Sequence, residues 1–242
     1  MKIHVLAGDA LANDFNNTGI EGERVVCREC LVEGDVRAEN LEDFWKLRAG
    51  FIKSAYGENE ESYFGKVVAE FEKLKNLAPA AEVNLWFEYE LFCQANMWFC
   101  LYLLQNTGAS VYRVAPVVRT EEDIWKGFGK LGSADLKKCF AERIKFGEED
   151  IRLGARLWKA YQNADYEKLE NFSETESDCF PRLREVCRAE IEKDFRPQKI
   201  LREIIENGSR DFAEIFPEFS VRAGVYGFGD AQVKRILNQV EA

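Results

Sequence analysis

Histidine is nearly absent from this chain, with His4 the only one in 242 residues. No Gly-x-Ser-x-Gly elbow occurs either, so a Ser-His-Asp machine is excluded, because its base is an imidazole beside an exposed serine. The seven cysteines (Cys27, Cys30, Cys93, Cys100, Cys139, Cys179, Cys187) include one close pair, Cys27-Arg28-Glu29-Cys30. A structural zinc needs a second such pair or histidines at ligand spacing. The thiols are therefore read as reduced, with Cys27 and Cys30 as ordinary residues at a strand end. Phosphate motifs are missing as well: no GxGxxG follows the first strand, and Gly127-Phe128-Gly129-Lys130-Leu131-Gly132-Ser133 has the wrong spacing for a P-loop. Lys and Arg number 33 against 43 Asp and Glu, a net charge of -10, which disfavours binding to nucleic acid or an anionic membrane surface. The most apolar stretch, Leu85 to Leu104, is interrupted by Glu88, Glu90, Gln94 and Asn96, and MKIHVLAGDA contains no long apolar segment. A cytoplasmic location is expected, with no membrane partner and no motif that names a cofactor.

What is present suits an ordered globular chain. Hydrophobic residues make up 46% and charged residues of mixed sign 31%, with only 17 Gly and 5 Pro, which is enough apolar material for one large or two small cores. Lys2 to Ala7 and Glu23 to Cys27 read as strands around a short helix at about Ala10 to Asn17. Helices are predicted over 40–55 and 60–77, the first with Leu41, Phe44, Trp45, Leu47, Arg48, Phe51 and Ile52 at helical spacing. After a break at Pro79 come a strand over 82–87, a helix over 91–105 and a strand over 110–115 closed by Pro116. Strands alternating with helices imply a parallel sheet. From about Thr120 the pattern is helical, over 133–145, 148–162, 182–194, 196–207, 211–216 and 230–239, with Ser133 and Asp230 as N-caps, Pro197 in a first turn and Gly208 just past a helix. Gly224, Gly227 and Gly229 read as a tight hairpin or turn. The expected fold is α/β, a Rossmann-like three-layer domain with a mainly parallel sheet over 1–119, followed by a mostly helical domain over 120–242.

In such a sheet the loops leaving the carboxyl ends of the strands share one edge, where open α/β folds bind ligands. Here that edge collects Gly8 and Asp9, Arg28 to Gly34, Glu88 to Glu90, and Ala115 with Pro116. Charges beside apolar strands cost free energy unless paired, hydrated or used. Two uses compete for the acids. Asp9, Glu88 and Glu90 suit a hard cation or an acid/base pair. They equally suit helix caps and first turns, where the macrodipole favours anions. His4, inside a strand, is read as a core histidine, and the aromatic-rich 86–103 stretch as buried core.

The blocks Ile3-His4-Val5-Leu6-Ala7-Gly8-Asp9, Arg28-Glu29-Cys30-Leu31-Val32-Glu33-Gly34 and Leu85-Trp86-Phe87-Glu88-Tyr89-Glu90-Leu91-Phe92-Cys93-Gln94 resemble the bacterial family catalogued as domain of unknown function 1835 (DUF1835). That family carries His-x-x-x-Gly-Asp-Ser, Arg-Asp-x-Leu-x-x-Gly-Pro and Trp-Phe-Glu-His-Asp-Leu-x-x-Gln blocks in this order. Ala10 stands for the family's Ser, Glu29 for its Asp, Asp35 for its Pro, Tyr89 for its His and Glu90 for its Asp. The resemblance implies Gly8, Asp9, Arg28, Glu33, Gly34, Glu88 and Gln94 as site residues and names no reaction. Two functions are expected from these readings. One is a small-molecule or nucleotide-binding α/β domain, enzymatic if the acids do chemistry, with Asp9, Glu88 and Glu90 as catalytic candidates, Arg28 holding an anion and Gln94 orienting it. The other is a regulatory or adaptor protein whose region from Ile200 to Val240 forms a helix-turn-helix or winged-helix-like module for a protein partner, its balance of basic residues (Lys199, Arg202, Arg210, Arg222, Lys234, Arg235) and acidic ones lacking a DNA-reading face.

Overall fold

In the computed structural model, which describes residues 1–78, 80–209 and 211–241, the first half is an α/β sandwich. Pro79, read above as a break, and Arg210, counted among the basic residues, lie outside the described residues. Strands β1 (Lys2–Ala7), β2 (Glu23–Cys27), β3 (Glu82–Trp86), β4 (Ser110–Val114) and β5 (Ile144–Lys145) form one sheet in the order β2-β1-β3-β4-β5. The first four are parallel, with Val5 opposite both Val25 and Leu85, and β5 is antiparallel. Because both faces are covered, the central strands are apolar on both sides. On one face α1 (Gly8–Phe15) and α6 (Ser133–Ala141) close a small core of Leu6, Phe15, Trp86, Val114, Phe128 and Leu136.

The other face carries the main core. Here lie α2 (Leu41–Tyr56), α3 (Glu60–Tyr63), a π turn over Phe64–Val68, α4 (Ala69–Lys75) and α5 (Leu91–Leu104). Helix α5, apolar nearly all round, is wedged between the sheet and α7 (Glu148–Gln162), so both its faces are buried. Phe99 packs on Phe44 and Trp158 with ring centroids 5.1 and 4.8 Å apart. One hydrophobic cluster runs from Val25 through Trp98 and Leu157 to Cys187, Phe219 and Leu237. The change of pattern near residue 120 is thus a change of secondary structure that the core crosses. The helical half continues with α8 (Tyr166–Ser173), α9 (Leu183–Ile191), α10 (Arg196–Glu206), α11 (Phe212–Arg222) and α12 (Asp230–Glu241). Among the described residues no helix is long and apolar enough to cross a membrane.

Several elements differ from the sequence reading. The helix predicted over 133–145 ends at Ala141, and Ile144 and Lys145 pair with Arg113 and Tyr112 instead, where the open edge of β4 offers a ladder that Phe146 N–H extends to Val111 O and the Phe146 ring is buried. Ser133 is not the cap: Gly132 occupies that position, and Ser133 Oγ donates to Asn17 O, tying α6 to the end of α1. Asp230 lies in the first turn of α12, paired with Lys234 at 3.2 Å. Helix α8 was not anticipated; it is a short helix capped by Asp165, which accepts from Lys168 N. Helix α11 runs past Phe216 and through Pro217, which has no N–H to donate, and buries Phe219 beyond it. The glycine cluster forms a 3-10 turn over Gly224–Tyr226 closed by Gly227 at φ 68°.

His4 is a core residue, fully shielded from solvent. Trp86 Nε1–H donates to its Nδ1 at 3.0 Å, which assigns the proton to Nε2, 3.2 Å from Glu21 O. Burial, the largest effect, lowers its pKa from 6.5 to about 4. The unfolded chain therefore binds a proton at His4 before the folded one does, and stability from this group is complete above pH 6.5 and lost as the pH falls to about 4. Urea denaturation across that window is expected to show a loss of about 3 kcal/mol that His4→Gln lacks; identical slopes in the two proteins would show that His4 titrates normally.

Candidate functional site

Four parallel strands end at the same edge, and the loops that leave them carry the predicted blocks. Gly8, at φ 87°, turns the chain directly from β1 into α1, and Asp9 follows in the first turn. No side chain caps α1, so Asp9 is not a cap. Its carboxylate takes a bidentate pair from Arg28, with Nε at 2.9 and 3.0 Å and Nη2 at 2.8 Å. The Arg28 hydrogen bond holds the Asp9 carboxyl below the usual carboxylate range. Arg28 Nη1 also donates to Lys66 O in the π turn, 3.0 Å away.

The loop after β2 is irregular yet buried, which leaves its carbonyls in need of donors. Helices supply them. Arg48 of α2 donates to Cys30 O, Glu33 O and Asp35 O, Asn96 of α5 to Glu29 O, Tyr161 of α7 to Leu31 O and Gln162 of α7 to Val36 O. Glu29 folds inward and pairs with Arg48 at 2.8 Å, both side chains fully buried, and accepts from Tyr63 Oη as well. Glu33 points the other way and accepts from Tyr56 Oη, Arg235 Nη2 and, at 3.1 Å, Gln232 Nε2. Gly34, at φ 71°, lies so close to the Phe51 ring that a Cβ would collide with it.

Between this loop, α2, the π turn and the start of α5 opens a cavity of about 360 Å³. Ile52, Tyr63, Val67 and Phe92 make its apolar walls, and Arg28 and Lys66 bring two cations to it. Tyr56, Ser62 and Gln232 add neutral polar groups, and Glu58 pairs with Lys66 at 3.4 Å. Cys30 also lines it, with burial pushing its thiol up to about 11, so it is no ready nucleophile.

The third block serves a second cavity, of about 180 Å³, under the 3-10 turn before α12. Glu90 is the N-cap of α5, accepting from Cys93 N at 3.1 Å, as the capping alternative had it. Glu88 caps nothing; it accepts from Phe128 N at 2.6 Å, and Gln94 Nε2 donates to the Glu88 carbonyl. Gly127 and Gly227 are needed here, since a Cβ on either would run into the Glu88 or the Glu90 side chain. Burial raises both carboxyls, and with the charge of Glu88 added it pushes Glu90 up to about 8. Ligand atoms of Glu88, Glu90 and Cys93 lie within 4.8 Å of one another, a set that could hold a divalent cation, and Asp9 does not belong to it. The structure thus places Arg28 at the larger cavity, with Asp9 and Glu33 bonded to residues of its wall, and Glu88 and Glu90 at the smaller one, with Gln94 bonded to Glu88.

Sequence reasoning missed Tyr56, Lys66, Phe92 and Gln232, which reach the larger cavity from elements far apart in the chain. Arg48, a charge at an apolar helical position, carried a visible signal. In comparison with known proteins, no family model, no curated protein and no solved structure matches the chain.

The raised Glu90 pKa carries a stability signature. The folded state keeps that proton between the ordinary value of 4.5 and about 8, so the stability it lends is full below 4.5 and lost as pH rises to about 8. Glu90→Gln keeps a cap acceptor and is expected to exceed the natural protein in stability at pH 8 by on the order of 1–3 kcal/mol, the gap closing by pH 5. Chemical denaturation at the two pH values checks this, and a Gln variant less stable at both would mean that Glu90 acts as an ionised cap.

Proposed function

We propose that this protein binds a small phosphorylated molecule, best matched by a nucleoside monophosphate, in the cavity beside Arg28. One observation carries the reading: an apolar cavity of about 360 Å³ at the carboxyl ends of parallel strands, with two cations, Arg28 and Lys66, at its wall. Its size falls within the range of small-molecule sites, and strand ends are where open α/β sheets bind ligands. Phe92 offers a face for a planar base, and Arg28 offers charge-assisted hydrogen bonds to a phosphate. Asp9 holds the guanidinium in place from behind, so little ordering is left to binding. The three blocks that carry the family resemblance include Arg28, Cys30 and Phe92 of this wall.

A catalytic role is the second reading, favoured by the Glu88 and Glu90 pair. A carboxyl that keeps its proton near neutral pH beside another carboxyl is suited to acid/base work.

Titration calorimetry of the full chain against AMP, ribose 5-phosphate and inorganic phosphate tests the proposal. AMP is expected to bind most tightly. Arg28→Gln should weaken all three at least about tenfold, the worth of one charge-assisted hydrogen bond, with little loss of stability because its ion pair is part-exposed. Phe92→Ala should weaken AMP and leave inorganic phosphate unchanged. AMP binding untouched by both substitutions, or no binding of any of the three, overturns the reading.

A further inference from the structure

A different arginine makes no ion pair among the described residues, although the Glu90 carboxyl acts on it from a distance. Arg113 sits on β4, where the neighbours Val111 and Val114 are core residues, and its side chain is 2% exposed. Its Nη1 meets only the sulfur of Met97, and its Nε and Nη2 have no hydrogen-bond partner among the described residues. Leaving a buried guanidinium so is costly unless something pairs with it. Burial correspondingly lowers its pKa.

The two nitrogens without partners are the ones that form one straight edge of the guanidinium. Arg48 presents that same Nε/Nη2 edge to the Glu29 carboxylate, and Arg28 presents it to Asp9. Such an edge matches the two oxygens of a carboxylate. The Tyr89 ring covers one face of Arg113, with the guanidinium carbon 5.2 Å from its centroid, which leaves the edge as the direction of approach. Arg113 and Tyr89 both line a cavity of about 340 Å³ between the end of β4, α6 and the segment before α9. The remaining wall is mixed: Pro116, Val117, Val118 and Pro181 form an aliphatic patch beside Lys138, Glu142 and Asp178, with Glu142 paired to Lys138 at 3.9 Å. Two acids against one lysine disfavour a second negative charge on the ligand, and the aliphatic patch suits an alkyl group.

We propose that this cavity is a binding site for a small aliphatic monocarboxylate, whose carboxylate pairs with the Nε/Nη2 edge of Arg113 while its alkyl group lies against Pro116, Val117 and Val118. The Tyr89 ring, stacked on the guanidinium and facing the cavity, turns aside to admit it. This site is separate from the cavity beside Arg28 and does not depend on nucleotide binding there.

Calorimetry and thermal denaturation of the full chain with acetate, butyrate and inorganic phosphate, each against chloride at equal ionic strength, test it. Butyrate is expected to bind at millimolar concentration or below, tighter than acetate by about three- to fourfold per added methylene, and phosphate weakly or not at all. Arg113→Met, which removes an uncompensated charge, should fold at least as stably as the natural protein and lose the butyrate response. Val118→Trp, which fills the cavity and leaves Arg113 in place, should lose it too, and serves if Arg113→Met does not fold. No carboxylate binding, a response to phosphate alone, or a butyrate response that survives either substitution would overturn the site.

Discussion

The buried ion pair between Glu29 and Arg48 is the contact on which the arrangement around the sheet edge depends. Both side chains are fully shielded, and removing one partner of such a pair typically costs about 3–5 kcal/mol because the other charge is left stranded. Its reach exceeds the two residues. Arg48 also donates to three carbonyls of the loop after β2, and Tyr63 donates to the Glu29 carboxylate. An irregular loop is thereby held in the interior with its polar groups satisfied, something neither a helix nor a strand would achieve at this position.

That loop joins the parts of the molecule. Asn96 from α5 and Tyr161 and Gln162 from α7 bond to its backbone, so the α/β half and the helical half meet on it as well as through the hydrophobic core. Its outer side then faces the larger cavity with Arg28 and Cys30 and offers Glu33 to Tyr56, Gln232 and Arg235. The inner side of the loop is thus structural and the outer side is available for a ligand. Arg28 gains from this division, since Asp9 and the π-turn carbonyl fix its guanidinium from two other directions.

The parallel sheet was legible because central strands buried on both faces read as continuous apolar runs bounded by Gly8-Asp9 and by Pro116. The edge that gathers the three charged blocks followed from that topology alone. Short elements were harder to read: β5 has two residues, and its Ile144 and Phe146 are also compatible with a helix end. The division of the candidates between two cavities was not legible, since it depends on which way Glu29, Glu33, Glu88 and Glu90 turn. Those directions are set by Arg48, Arg235, Phe128 and Cys93, partners up to 202 positions away in the chain. Arg48 and Arg113 share a signal that sequence does contain, a guanidinium at a position whose neighbours are core. Only the structure separates the one that is paired internally from the one that has no ion pair among the described residues.

The most direct test of this account is amide hydrogen exchange of the natural protein with and without AMP. A ligand held in the larger cavity is predicted to slow exchange in the loop over 28–36 and in the segment over 56–67, while α8, which contributes nothing to the cavity lining, remains as it was. Slowed exchange confined to other segments, with 28–36 and 56–67 unchanged at saturating AMP, would contradict it.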